Sequence, residues 1–97
     1  MDVKYDKLLD SKVEQLLGRV QGGELTPSAA RFELTIYSEA IKDVIFGAFT
    51  REYADGYSKG LIKYTFLIFD EAVRLMEYIS FTDIKFYMSM AEKKVQA

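Results

Sequence analysis

The chain has 97 residues, of which 49% are hydrophobic and 29% are charged, and its formal net charge is −2. This length fits a single domain spanning residues 1–97 and leaves no room for two, and the composition excludes a disordered chain. The slightly acidic balance provides no general attraction to nucleic acid or to an anionic membrane surface.

Cysteine and histidine are both absent from the sequence. Without cysteine there is no disulfide, no thiolate chemistry and no cysteine zinc site. Without histidine the commonest general base and the commonest transition-metal ligand are missing. We therefore predict a non-enzymatic protein that uses no metal and no cofactor. The first ten residues include acids and lack the apolar segment of a signal peptide, so we expect a cytoplasmic location.

The first predicted helix runs from about residue 2 to residue 21. Its apolar residues recur at three- and four-residue steps and form one stripe, as expected of a helix that packs on a core. Gly22 and Gly23 follow directly, and glycine is the residue that most often ends a helix. The stripe consists of Leu8, Leu9, Val13, Leu16, Leu17 and Val20.

The second predicted helix covers residues 27–54. Thr26 is a suitable N-cap, and Pro27 suits the first helical position because its missing N–H costs nothing there. A straight helix of this length would measure about 40 Å and would overhang a domain of this size unless it breaks or pairs with another chain. Gly47 offers the site for a break. Residues 31–37 also alternate between polar and apolar types, so a strand there is an alternative. The predicted apolar face holds Ile36, Tyr37, Ala40, Ile41, Val44, Ile45 and Ala48.

A loop is predicted at residues 54–60 and a third helix at residues 58–79. Gly56 and Gly60 are the turn signals, and Tyr57 and Lys59 are candidate partner contacts in that loop. The third helix is apolar almost all round, and a strand at residues 61–69 is the alternative. This apolar run is too short to span a bilayer and contains a lysine, so no membrane contact is expected.

The fourth predicted helix covers residues 81–95. Ser80 together with Asp83, or Thr82 alone, can cap it. Alternatively it continues the third helix through a kink, because no strong helix breaker separates them. The predicted fold is therefore all-α, a single antiparallel four-helix bundle.

Aromatic residues are concentrated late in the chain, where eleven of the fourteen follow residue 45. A helix in a four-helix bundle needs an apolar face of only about three-sevenths of its positions, so the surplus predicts self-association or a partner site. The alternative is that a kink at Gly47 folds these aromatics into one monomeric core. The predicted contact surface consists of Phe46, Phe49, Tyr53, Phe86 and Met90.

These features predict a protein–protein interaction module that acts as a homodimer and binds another protein. An adaptor, an inhibitor, an immunity-type protein and a regulator all fit this description. One alternative is a small-ligand-binding bundle in which Tyr37, Tyr64 or Tyr78 offers a hydroxyl to a cavity. Another is a nucleic-acid-associated regulator, in which tyrosines among basic residues stack on bases.

Overall fold

The computed structural model describes residues 4–97, and every regular element within that range is an α-helix. The all-α, four-helix prediction is confirmed, and neither residues 31–37 nor residues 61–69 form a strand. The predicted helix start at residue 2 lies outside the described residues, and the first helix begins at Tyr5. The elements are α1 (Tyr5–Gln21), α2 (Pro27–Ala48), α3 (Arg51–Tyr78) and α4 (Ile84–Gln96).

Local signals set several helix ends where the sequence predicts them. The Thr26 hydroxyl accepts a hydrogen bond from the Ala29 N–H at 3.1 Å, and Pro27 occupies the first position of α2. Past the end of α1, Gly23 has a φ of 79°, a left-handed conformation that glycine adopts without strain. These caps satisfy backbone groups that a helix leaves unpaired at its ends.

The fourth helix begins three residues later than predicted. The Asp83 carboxylate accepts a hydrogen bond from the Lys85 N–H at 2.9 Å and so caps α4 at Ile84. Residue Ile79 is extended, with φ −124° and ψ 125°. The third and fourth helices are therefore separate elements, joined by residues 79–83.

The largest correction concerns the junction of the second and third helices. α2 ends at Ala48, beside Gly47, the site that the sequence offers for a break, and α3 begins at Arg51. The predicted extension of the second helix to residue 54 is wrong, and so is the predicted loop at residues 54–60.

Helix α3 continues through this segment because its inner side is packed. Ala54 and Ser58 are fully buried, and the Asp55 carboxylate pairs with the Lys59 ammonium at 3.0 Å across one turn. The two glycines of the segment are on the exposed side, and neither has a positive φ. Glycine in this segment thus lowers helix propensity without ending the helix.

Helices α1 and α3 form the centre of the bundle. α3 contacts all three other helices, whereas α2 and α4 each contact α1 and α3 but not one another. With 28 residues, α3 is about 42 Å long, which accounts for the longest dimension of the molecule, 43 Å. The all-round apolar character of the third helix is therefore explained by its central position, without a second chain.

The core is divided into two clusters along the length of α3. The larger joins all four helices around Leu16, Leu17, Leu34, Phe69 and Tyr87. The smaller joins α1, α2 and the first half of α3, and its buried members are Tyr5, Leu9, Ile41, Ile45 and Ala54.

The inward face of α2 differs from the predicted one. Ala30, Leu34 and Ser38 turn inward together with Ile41 and Ile45. Ile36, Ala40 and Val44, which were predicted to belong to the core face, are exposed instead. This helix is apolar on two sides, and packing between α1 and α3 selects the side that is buried.

None of the helices described for residues 4–97 combines the length and the apolar character that a membrane crossing requires.

Candidate interaction surface

Four aromatic rings meet where α2 turns into α3, and we call them the aromatic corner: Tyr5, Phe49, Tyr53 and Tyr57. Phe49 is the hub, with ring centroids 5.0 Å from Tyr53, 6.2 Å from Tyr57 and 6.3 Å from Tyr5. Tyr53 and Tyr57 stack with their centroids 5.7 Å apart. Such offset and edge-to-face pairs each contribute about 0.5–1.5 kcal/mol beyond area burial, so the corner holds its own shape.

The local fold brings these rings together from three elements. Phe49 and Thr50 are the only two residues between α2 and α3, and both are extended. Tyr53 and Tyr57 are four residues apart and therefore share one face of α3. Tyr5 is the first residue of α1, and its ring packs edge-on against the Tyr57 ring, with centroids 6.4 Å apart.

The corner contains both packed and exposed rings. Tyr5 is only 5% exposed, whereas 43% of Phe49 and 54% of Tyr53 remain accessible. Phe46 is half-buried against the smaller core cluster. Of the residues predicted for the contact surface in this region, Phe49 and Tyr53 are available to a partner, and Phe46 mainly supports the core.

One acidic residue of α1, Asp6, lies near the corner. Burial, followed by the nearby Asp6 carboxylate, raises the pKa of the Tyr57 hydroxyl. Burial, followed by the charges of Glu92 and Asp6, raises the pKa of Asp10. The Tyr57 shift thus places the Asp6 carboxylate near the rings, whereas the Asp10 shift places Asp10 near Glu92 of α4.

Helix α4 covers α3 only as far as Tyr64. The Gln96 side-chain amide donates a hydrogen bond to the Tyr64 hydroxyl at 3.0 Å. Tyr57 and Tyr53 lie on the same line of α3, two and three turns before Tyr64. Within the described residues, this line of α3 therefore continues past the last residues of α4 into the aromatic corner, where Tyr5 of α1 packs against Tyr57.

The other predicted contact residues lie elsewhere. Phe86 stacks on Phe81 with centroids 4.1 Å apart, near the end of α1 where the Gln21 amide donates to the Phe81 carbonyl. Met90 is one turn further along α4 and is 36% exposed. About 24 Å of α1 separates this end from the corner, so the predicted five residues do not form one surface.

The loop prediction for Tyr57 and Lys59 is corrected by the course of α3, which holds both residues on a regular helix. Tyr57 is half-buried within the aromatic corner, and Lys59 is exposed and paired with Asp55. The sequence interpretation also missed Tyr5, whose spacing in α1 resembles that of any core residue. Only the three-dimensional meeting of α1 with the α2–α3 junction reveals its role.

A cavity of about 290 Å³ lies at the other end of the bundle, lined in part by Val20, Met76, Phe81 and Tyr87. This is slightly below the volume range of about 300–1,000 Å³ typical of ligand pockets. None of the three tyrosines considered for a ligand site is among its lining residues. The ligand-binding alternative therefore receives no support from this cavity. Tyr37 instead lines two open surface depressions, of about 270 and 350 Å³, on the side of α1 and α2.

No group of three or more acidic side chains within residues 4–97 is placed to hold a metal ion. Comparison of the chain with known protein families, with curated proteins and with solved structures found no match.

Proposed function

We propose that this protein is a non-enzymatic interaction module that acts in the cytoplasm as a homodimer and binds another protein through the aromatic corner. The observation that carries the proposal is the exposure of Phe49 and Tyr53, two large rings held in place by Tyr5 and Tyr57. Rigid, partly exposed aromatic rings are the side chains that most often dominate binding energy at interfaces.

The surroundings of the corner indicate the kind of partner. The Asp6 carboxylate lies near the Tyr57 hydroxyl, so a partner segment with apolar residues and a neighbouring lysine or arginine would complement both features. An amphipathic helix is the natural shape for such a segment, because it would lie along α3 beyond the end of α4. An adaptor, an inhibitor and a regulator would all use the corner in this way.

The test compares proteins that co-purify with tagged wild-type chain and with a Tyr53→Ala variant from cells of the source organism. We expect a protein retained by the wild type to be lost with Tyr53→Ala. Truncation of an interface hot spot costs about 2 kcal/mol or more, which is about 30-fold in affinity. Because Tyr53 is more than half exposed, the variant should keep its fold.

Tyr78→Ala is the matched control, because Tyr78 is 75% exposed at the far end of α3. This variant should retain the same protein as the wild type. Equal retention by all three chains would overturn the proposal.

A further inference from the structure

Helix α2 carries a second apolar face, which none of the helices in the described part of the chain covers. Phe32, Ile36, Ala40 and Val44 follow one another at four-residue steps, and we call them the α2 stripe. Phe32 is 66% exposed, Ile36 56% and Val44 54%. The stripe is on the opposite side of α2 from Leu34 and the core, so it plays no part in holding the bundle together.

The α2 stripe continues onto α1. Ile36 and Ala40 line a depression of about 270 Å³ together with Lys12, Glu33 and Tyr37. Lys12 and Tyr37 also line the neighbouring depression, which reaches Leu8, a residue that is 40% exposed. The apolar surface is therefore one connected patch rather than scattered side chains.

We infer that the α2 stripe is the surface on which a second copy of this chain docks, with a two-fold axis passing beside Ile36 and the two α2 helices antiparallel. The stripe is self-complementary about that point. Phe32 and Ala40 are each four residues from Ile36, on opposite sides. A two-fold rotation places the Phe32 ring of each protomer over the depression beside Ala40 of its partner.

Size supports this placement. Alanine lets another helix approach closely, and the depression beside it has room for one phenyl ring. Ile36 meets its own copy at the axis, so the large Phe32 ring faces the small Ala40 side chain at both ends of the contact. Such alternation of large and small residues is how helix surfaces interdigitate.

Charge supports the same placement. α1 is antiparallel to α2: Arg19 pairs with Glu33 at 3.3 Å, and the Lys12 ammonium lies 5.3 Å from the centroid of the Tyr37 ring. Lys12, on α1, is therefore beside a part of α2 that is about one to two turns closer to the end of α2 than Glu33 is. The same two-fold rotation brings Glu33 of each protomer close to Lys12 of its partner. Lys12 and Glu33 therefore form two reciprocal ion pairs across the axis.

The area of the patch is sufficient for a modest dimer. The stripe with Leu8 exposes roughly 400 Å² of apolar side chain, taking about 150–200 Å² for a fully exposed large side chain. If about 60% of the buried interface area is apolar, each copy would bury about 650 Å² in total. The two copies together would then bury about 1,300 Å², at the lower end of the range for stable interfaces.

This assignment rests on the proposed self-association but does not depend on the aromatic corner. The following experiments can therefore refute dimerisation through the α2 stripe without refuting partner binding at the aromatic corner.

Single-cysteine variants test the position of the axis directly, because the natural chain has no cysteine. Under mild oxidation, Ile36→Cys should form a disulfide-linked dimer. Phe32→Cys alone should not, because its two copies would lie about 12 Å apart along α2 and a disulfide needs Cα atoms within about 7 Å. A mixture of Phe32→Cys and Ala40→Cys should again give a linked dimer.

Light scattering on the full chain supplies the second measurement. The wild type should have twice the 11.2 kDa chain mass at micromolar concentration. Ala40→Glu places a charge at an exposed helix position, so it should halve the mass without changing the helical circular dichroism. The control Tyr53→Ala, in the aromatic corner, should leave the mass unchanged.

Two results would overturn the inference. A dimer that survives Ala40→Glu and gives no Ile36→Cys link would refute the α2 placement alone. A wild-type monomer at micromolar concentration would refute both self-association and this inference, and would leave binding of another protein at the aromatic corner to its own test.

Discussion

Replacing Gly56 and Gly60 with alanine distinguishes a continuous α3 from the loop that the sequence predicted at residues 54–60. Both glycines are exposed, neither has a positive φ, and a Cβ built at either position meets no atom within 4 Å beyond its chain neighbours and the adjoining backbone of α3. Glycine in a helix interior costs about 0.5–1 kcal/mol relative to alanine. The double variant should therefore be more stable by about 1–2 kcal/mol.

Thermal unfolding followed by circular dichroism measures this effect. For a domain of this size, 1 kcal/mol shifts the melting temperature by about 4–8 °C, so we expect a rise of roughly 5–15 °C for the double variant. Gly23→Ala is the matched control, because Gly23 has a φ of 79°, where alanine costs about 1–2 kcal/mol. It should melt earlier than the wild type. If Gly56→Ala and Gly60→Ala also lower the melting temperature, the segment is not a regular helix.

Two further predictions concern single side chains. The buried Tyr87 hydroxyl donates to the Ile79 carbonyl at 2.7 Å and accepts from the Phe81 N–H, so Tyr87→Phe should lower the free energy of unfolding in urea by about 1–3 kcal/mol, and an unchanged midpoint would contradict this. Folding raises the pKa of Asp10. The free energy of unfolding is therefore higher when Asp10 is protonated, at low pH, and it falls as the pH rises through the pKa of the folded state. Asp10→Asn should be more stable than the wild type near pH 7, by less than about 1 kcal/mol for this partly exposed group, and the difference should disappear below the ordinary aspartate value of 3.8; a constant difference at all pH values would refute it.

Local signals in the sequence were enough to place the elements whose ends depend on a few neighbouring residues. Gly22 and Gly23 end α1, and Thr26 with Pro27 begins α2, because caps and turns are decided within one helical turn. The second helix ends beside Gly47, which the sequence offered as the site of a break without deciding between a break and pairing with another chain. Thr50 occupies the N-cap position of α3 and Glu52 lies in its first turn, but the Thr50 side chain makes no capping hydrogen bond. The sequence interpretation used neither residue.

Other features could not be predicted because they depend on distant contacts. Gly56 and Gly60 resemble turn residues, and only burial of Ala54 and Ser58 against other helices shows that α3 continues. The pattern of α2 contains two apolar faces, and which one is buried is decided by α1 and α3.

The candidate site, too, could be predicted from the sequence only in part. Sequence reasoning selected Phe49 and Tyr53, which the structure leaves exposed side by side. It grouped them with Phe86, which is at the opposite end of the bundle. It also took Ile36 for a core residue, because a helical pattern alone does not say which apolar side faces solvent.

Site-specific photo-crosslinking tests directly whether another protein binds at the aromatic corner. A photoreactive phenylalanine analogue would replace Tyr53 in the full chain, in cells of the source organism, and Tyr78 in a control. The account predicts an adduct with a different protein from position 53 that is absent from position 78. No adduct at position 53, or the same adducts from both positions, would contradict an interaction function for the corner.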